Sequence, residues 1–129
     1  MKKILFILAI TLLATEAFAA RKEYKREIVK EFTVGDNPVL AIENKYGNIR
    51  IIEGTNRKIM FKIEIRGEGR TEEAARKYAE SVSVDFSHSG NQVSARTKFE
   101  SLNCNNCGRS VHYIVTAPKS VIPLLENKY

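Results

Sequence analysis

From Ile59 to Arg66 the chain alternates without a break, with Ile59, Phe61, Ile63 and Ile65 on one side and Met60, Lys62, Glu64 and Arg66 on the other. A period of two is that of a β-strand with one buried and one wet face, so a central strand is expected here. The same alternation recurs at Val82, Val84 and Phe86 and at Val93, Ala95, Thr97 and Phe99. Ser89-Gly90-Asn91 between those two runs completes a hairpin signature. Shorter apolar runs from Ile28 to Val34, Val39 to Ile42, Ile49 to Ile51, Val111 to Ala117 and Val121 to Leu125 read as further strands. Gly35-Asp36-Asn37-Pro38 and Pro118-Lys119-Ser120 read as turns, and Gly67-Glu68-Gly69 as the turn that ends the central strand. One stretch breaks the pattern: Thr71 can cap a helix whose first turn carries Glu72 and Glu73 and whose apolar stripe is Ala74, Ala75, Tyr78 and Val82. At about ten residues such a helix is marginal alone and must be held by packing on the sheet. The fold class expected is mainly β with one helix, its short antiparallel strands and hairpins forming a sandwich or roll.

A recurrence adds to this picture. Glu43-Asn44-Lys45-Tyr46 returns as Glu126-Asn127-Lys128-Tyr129, 83 residues later, and the first copy continues Gly47-Asn48-Ile49-Arg50-Ile51. Gly47 and Asn48 are residue types that tolerate positive φ, so the segment closes a hairpin or a solenoid corner, with Tyr46 over the strand edge. The spacing exceeds the roughly 20 to 50 residues of one solenoid repeat, so the two copies read as one strand-to-turn corner met again at a returning edge. Ending on Tyr129, one step before the turn, the chain reads as a domain truncated at its C-terminal side.

Lys2 and Lys3 precede an apolar run from Ile4 to Leu13, and Ala17-Phe18-Ala19 fits a small-residue cleavage site. Residues 1–19 are therefore expected to be a secretory signal peptide, since the run is about half the roughly 20 residues that span a bilayer. The mature chain would begin at Ala20, keep no transmembrane segment, and work in the periplasm or at the cell surface. Residues 20–30 mix both charge signs and read as an exposed N-terminal arm, leaving residues 31–129 as the β-rich domain. The net charge of +6 falls to +5 without Lys2, Lys3 and Glu16. Export removes nucleic acid as a partner, so this basic excess points toward anionic envelope polymers, lipid head groups or other surface proteins.

Phe32-Thr33-Val34, the run Leu40 to Ile51 with its Asn-Lys-Tyr-Gly-Asn-Ile corner, the Glu-Glu-Ala-Ala helix and the second Glu-Asn-Lys-Tyr together resemble a bacterial adhesin-type family of envelope β proteins that includes head-GIN domains. The resemblance spans nearly all of the mature chain. It implies an exported, non-enzymatic scaffold or interaction domain whose strands lead into a β-solenoid, with Asn44, Lys45, Tyr46, Gly47, Asn127, Lys128 and Tyr129 as repeat positions and no catalytic residue.

Candidate chemistry is sparse. Cys104-Asn105-Asn106-Cys107 in an exported chain is expected as a disulfide that clips a loop tip; a thiol-disulfide role would need a low-pKa thiolate at a helix start, and an alternating strand follows instead. Zinc needs four ligands, for which His88 and His112 are the candidates beside both cysteines, and in the strand pattern His112 faces away from Val111 and Tyr113. Ser87-His88-Ser89 places neighbours on opposite strand faces, unsuited to a nucleophile and its base. Glu72 and Glu73, consecutive on a helix, do not face each other. Lys58, Lys62 and Arg66 lie on or beside one wet strand face and form a candidate surface for an anionic polysaccharide or lipid, with Glu64 among them. No cofactor or metal is expected.

Overall fold

The computed structural model describes residues 21–128; the predicted signal peptide and Tyr129 lie outside the described residues. The chain runs β1 (Lys22–Thr33), β2 (Val39–Lys45), β3 (Ile49–Gly54), β4 (Lys58–Gly69), α1 (Glu72–Glu80), β5 (Val82–Ser89), β6 (Gln92–Phe99), β7 (Gly108–Pro118) and β8 (Ile122–Lys128). A first sheet has the order β1-β4-β7-β3 and a second the order β5-β6-β2-β8. Their apolar faces meet in one core, to which β4 gives Ile59, Phe61, Ile63 and Ile65, and Leu40, Ile42, Val93 and Ala95 answer from the second sheet. Phe86 of β5 bridges the sheets, its ring centroid 5.2 Å from Phe61 and 5.9 Å from Phe32. Among the described residues the architecture is thus a β sandwich with one helix.

The strands are not all antiparallel, and this corrects the expected pairing. β1–β4, β4–β7 and β5–β6 are antiparallel. β2 lies parallel to both β6 and β8, and β3 lies parallel to β7. The cause is the corner at residues 46–48, which sends β2 and β3 into different sheets instead of folding them into a hairpin. Each then takes its neighbours from later in the chain, and both sheets are mixed.

Residues 22–30 are likewise not a free arm but most of β1, paired along its full length with β4. The alternation there is carried by unusual residues. Tyr24, Ile28 and Phe32 pack against the core, while Arg26, on the same face, donates from Nε to Ala79 O (3.2 Å) and from its guanidinium to Val82 O. A cation over the last carbonyls of α1 is favourable because the helix dipole is negative there.

Gly67 and Gly69, expected to break the strand, instead continue β4 to its end. A Cβ on Gly67 would overlap the Ala75 carbonyl. The glycines thus let α1 settle directly on β4, where Ala75 and Ala79 are fully buried. Thr71 caps the helix as its sequence indicates, Oγ1 accepting from Ala74 N at 3.1 Å. One flank of the sandwich is therefore closed by α1 and by Phe32 and Phe86. The opposite flank, formed by β3 and β8, has no further strand among the described residues.

Candidate functional site

The two copies of the repeated motif stand side by side. β2 and β8 are parallel and in register, so Glu43 faces Glu126, Asn44 faces Asn127 and Lys45 faces Lys128. Alternation carries Leu40, Ile42 and Asn44 to the inner face of β2, and Pro123, Leu125 and Asn127 to the same row of β8. Each asparagine donates its side-chain amide to a backbone carbonyl outside its own strand: Asn44 Nδ2 to Val111 O of β7 at 3.0 Å, and Asn127 Nδ2 to Gly47 O of the corner at 2.8 Å. The backbone adds Tyr46 N to Lys128 O (2.9 Å), Val111 N to Tyr46 O (3.0 Å) and Tyr113 N to Asn48 O (2.8 Å). The corner at residues 46–48 is thus laced to β7 on one side and to β8 on the other.

Identical charges in register should repel. Here the repulsion between Glu43 and Glu126 is offset from the sides, by Arg96 Nε 3.1 Å from Glu43 and Lys128 Nζ 3.6 Å from Glu126. The apolar row and the asparagines set the register.

The left-handed residue of the corner is Tyr46, at φ 59°, rather than Gly47 or Asn48. Gly47 is needed for another reason, because a Cβ there would overlap the Val111 carbonyl. Tyr46 stands edge-on to Phe99 with centroids 5.3 Å apart. Phe99 in turn stacks on Arg109, whose guanidinium lies 4.9 Å from that ring and 5.0 Å from Tyr78. Arg109 also donates to Ser81 Oγ and, at 2.8 Å, to Glu100 O. This clamp joins α1 to the ends of β6 and β7. Sequence reading noted Arg109 only as a cation beside Cys107; aromatic residues at two distant positions gave no sign that they would converge on it.

Below the corner Asn44 is 1% exposed and its Oδ1 accepts from Thr97 Oγ1 at 3.0 Å. Thr97 shares a 2.6 Å hydrogen bond with the Tyr113 hydroxyl. Burial pushes the Tyr113 phenol up to about 12, with the Thr97 hydrogen bond acting in the opposite, weaker sense. A raised folded-state pKa means that stability is complete below the ordinary phenol value of 10 and is lost as pH climbs toward 12. We expect urea stability to fall by about 2–3 kcal/mol across that window through this group. Tyr113→Phe should cost about 1 kcal/mol at pH 8 and lack this alkaline loss, which paired urea titrations at pH 8 and 11.5 would read.

Cys104 and Cys107 are in bonding contact, with Cα atoms 5.6 Å apart, at the tip of the loop between β6 and β7. No helix starts at either sulfur, since β7 begins at Gly108. The adjacent cation, Arg109, is engaged by rings, a hydroxyl and a carbonyl. Nothing in this geometry favours a thiolate. The double substitution Cys104→Ser with Cys107→Ser is expected to cost no more than about 2 kcal/mol by urea denaturation, because closing so short a loop restrains the unfolded chain little.

Lys58, Lys62 and Arg66 do share the outer face of the first sheet. Each, however, has a β1 carboxylate beside it: Glu31 2.9 Å from Lys58, Glu27 3.9 Å from Lys62 and Glu23 3.3 Å from Arg66. Their charge is locally compensated, which weakens their pull on an anionic polymer. The shallow pocket of about 320 Å³ nearby also contains Glu27 and Glu64 with His112. His112 Nδ1 accepts from Asn48 N at 3.2 Å, and His88 lies against Phe32 with centroids 5.4 Å apart. The structure brings neither histidine together with the cysteines into a metal-binding group. Ser87 and Ser89 flank His88 along extended β5, whose imidazole Nε2 lies 3.1 Å from Gly90 O. Glu72 and Glu73 form the first turn of α1. Among the described residues no helix is long and apolar enough to cross a membrane.

No protein-family model, no characterised protein and no solved structure matches this chain.

Proposed function

We propose that this chain is an exported, non-enzymatic scaffold or interaction domain of the cell envelope, adhesin-like in that it acts by presenting stacked strands and not by turning over a substrate. The observation that carries the reading is the in-register β2–β8 stack, in which a repeated Glu-Asn-Lys segment meets itself and each asparagine bonds a backbone carbonyl of a neighbouring segment. A motif repeated at this cost in like charge is there for its backbone geometry. On this reading the stack is the first turn of a β-solenoid and the flank closed by α1 is its starting cap. Several polar side chains support this reading by their structural roles: Arg109 as a clamp, Asn44 and Tyr113 as a buried network, and Lys58, Lys62 and Arg66 as half of a charge lattice.

The test is made in the protein's own cells with a tag on an exposed loop. The tagged protein should fractionate with the envelope and start at Ala20 by mass spectrometry, and its deletion should weaken surface attachment or envelope integrity. A cytoplasmic protein retaining Met1, or a deletion without effect on the envelope, would overturn the reading.

A further inference from the structure

The guanidinium of Arg109 is engaged on one side only. Its Nη1 donates to Ser81 Oγ and to Glu100 O, while the rings of Tyr78 and Phe99 lie 5.0 and 4.9 Å from its central carbon. These contacts fix the plane of the group. Nε and Nη2 carry the remaining N–H donors, which bond to nothing among the described residues and are not sealed from water. Nor does any described carboxylate pair with Arg109, in contrast to Lys58, Lys62 and Arg66. Glu100, the nearest acidic residue in the chain, offers its carbonyl instead.

This half-used fork stands at a hollow of about 270 Å³ that Arg109 lines with Tyr46, Tyr78, Cys107 and Gly108. Tyr46 is a second, independent pointer to the same place. Its φ of 59° is left-handed, a conformation unfavourable for a bulky side chain, although Gly47 is the next residue. The corner therefore holds an aromatic ring where asparagine or glycine would relieve strain. Outliers of this kind concentrate where a side chain is presented to a ligand.

We infer that the hollow binds a sugar acid, its carboxylate laid across Nε and Nη2 of Arg109 and the apolar face of its ring against Tyr46. A carboxylate matches the two parallel donors of an arginine edge. The tyrosine adds an apolar body with a polar tip, suited to a sugar's C–H face and its hydroxyls. Being slightly smaller than the roughly 300–1,000 Å³ of a drug-sized pocket, the hollow takes a single monosaccharide unit. A phosphate would call for a second cation, and Arg109 is the one cation among the lining residues. A peptide C-terminus is captured by converging backbone N–H groups; those of Tyr46 and Val111 are already engaged by Lys128 O and Tyr46 O.

The test does not depend on where the protein resides. The purified full chain is titrated with methyl glucuronoside, its methyl ester, methyl glucoside, glucose 6-phosphate and acetyl-diglycine, followed by NMR. Saturable shifts of the Arg109 Nε–H and of the Tyr46 and Tyr78 rings are expected, with a Kd for the glucuronoside of about 1 mM. The ester and the glucoside should bind roughly tenfold more weakly, because neither carries the carboxylate. Arg109→Lys keeps the charge without the fork and should weaken binding roughly tenfold. Tyr46→Asn suits the left-handed backbone, so it should fold and weaken binding roughly fivefold. If either variant fails to fold, the ligand comparison on the unaltered chain decides. Equal binding of the ester or glucoside, tighter binding of the phosphate or the peptide, or shifts confined to Lys62 and Arg66 would each overturn the inference. So would an absence of saturation, or undiminished affinity in folded Tyr46→Asn.

Discussion

Replacing Asn44 by alanine is expected to lower the unfolding free energy by about 3 kcal/mol, while replacing Asn127 by alanine should lower it by less than about 1 kcal/mol. The two residues occupy the same place in the same motif, and each makes one amide-to-carbonyl bond across the corner. Their surroundings differ. Asn44 is buried beneath β6 and β7, and its loss would strand the Val111 carbonyl and deprive Thr97 of its acceptor away from water. Asn127 is exposed on the edge strand, and water can replace its bond. Urea titration of the two single variants reads the contrast directly. Equal costs would mean that the ladder bond itself, and not burial, carries the energy.

Gly47→Ala is expected to be at least as damaging, at about 3 kcal/mol or more, or to prevent folding. The added methyl would overlap the Val111 carbonyl, which is held in place by Asn44 Nδ2. The corner would have to move off β7, taking with it the bonds from Val111 N and Tyr113 N. Gly90→Ala serves as the control: that glycine has φ 56° and open space around it, so only the left-handed strain of about 1 kcal/mol applies. Thermal unfolding followed by far-UV circular dichroism would rank the two. A Gly47→Ala protein as stable as Gly90→Ala would show that the corner yields more easily than its close contact suggests.

Much of the fold was legible in the residues, for reasons that also mark where legibility ends. β4 and the β5–β6 hairpin declare themselves because one face of each is apolar and the other polar, and the cap of α1 is a local event spelled by Thr71 and the two glutamates. β1 hid because its inner row includes Arg26, whose place is explained only by α1 arriving overhead. Gly67 and Gly69 hid for the same reason: they look like a break until the helix that fills their empty side is known. The recurrence of Glu-Asn-Lys was plain, but its adjacency was not, since no local rule brings segments 83 residues apart into one parallel pair. At the candidate site, Asn44 read as a turn residue, whereas the alternation of β2 drives it into the core. The charged trio follows the alternation of β4, but its glutamate partners belong to β1, whose mixed charges look like an arm.

The strand order also governs when this molecule can become itself. β2 pairs with β6 and β8, and β3 with β7, so neither has a strand partner until the chain well beyond the helix has emerged. Pairings this distant in sequence are slow to close, because loop entropy is spent before any contact compensates it. During that interval Val39–Ile42 and Ile49–Ile52 are bare, apolar, β-forming segments. The protein's most vulnerable moment therefore falls during its own synthesis, and holding factors that shield those two segments should raise its yield more than any stabilisation of the finished sandwich.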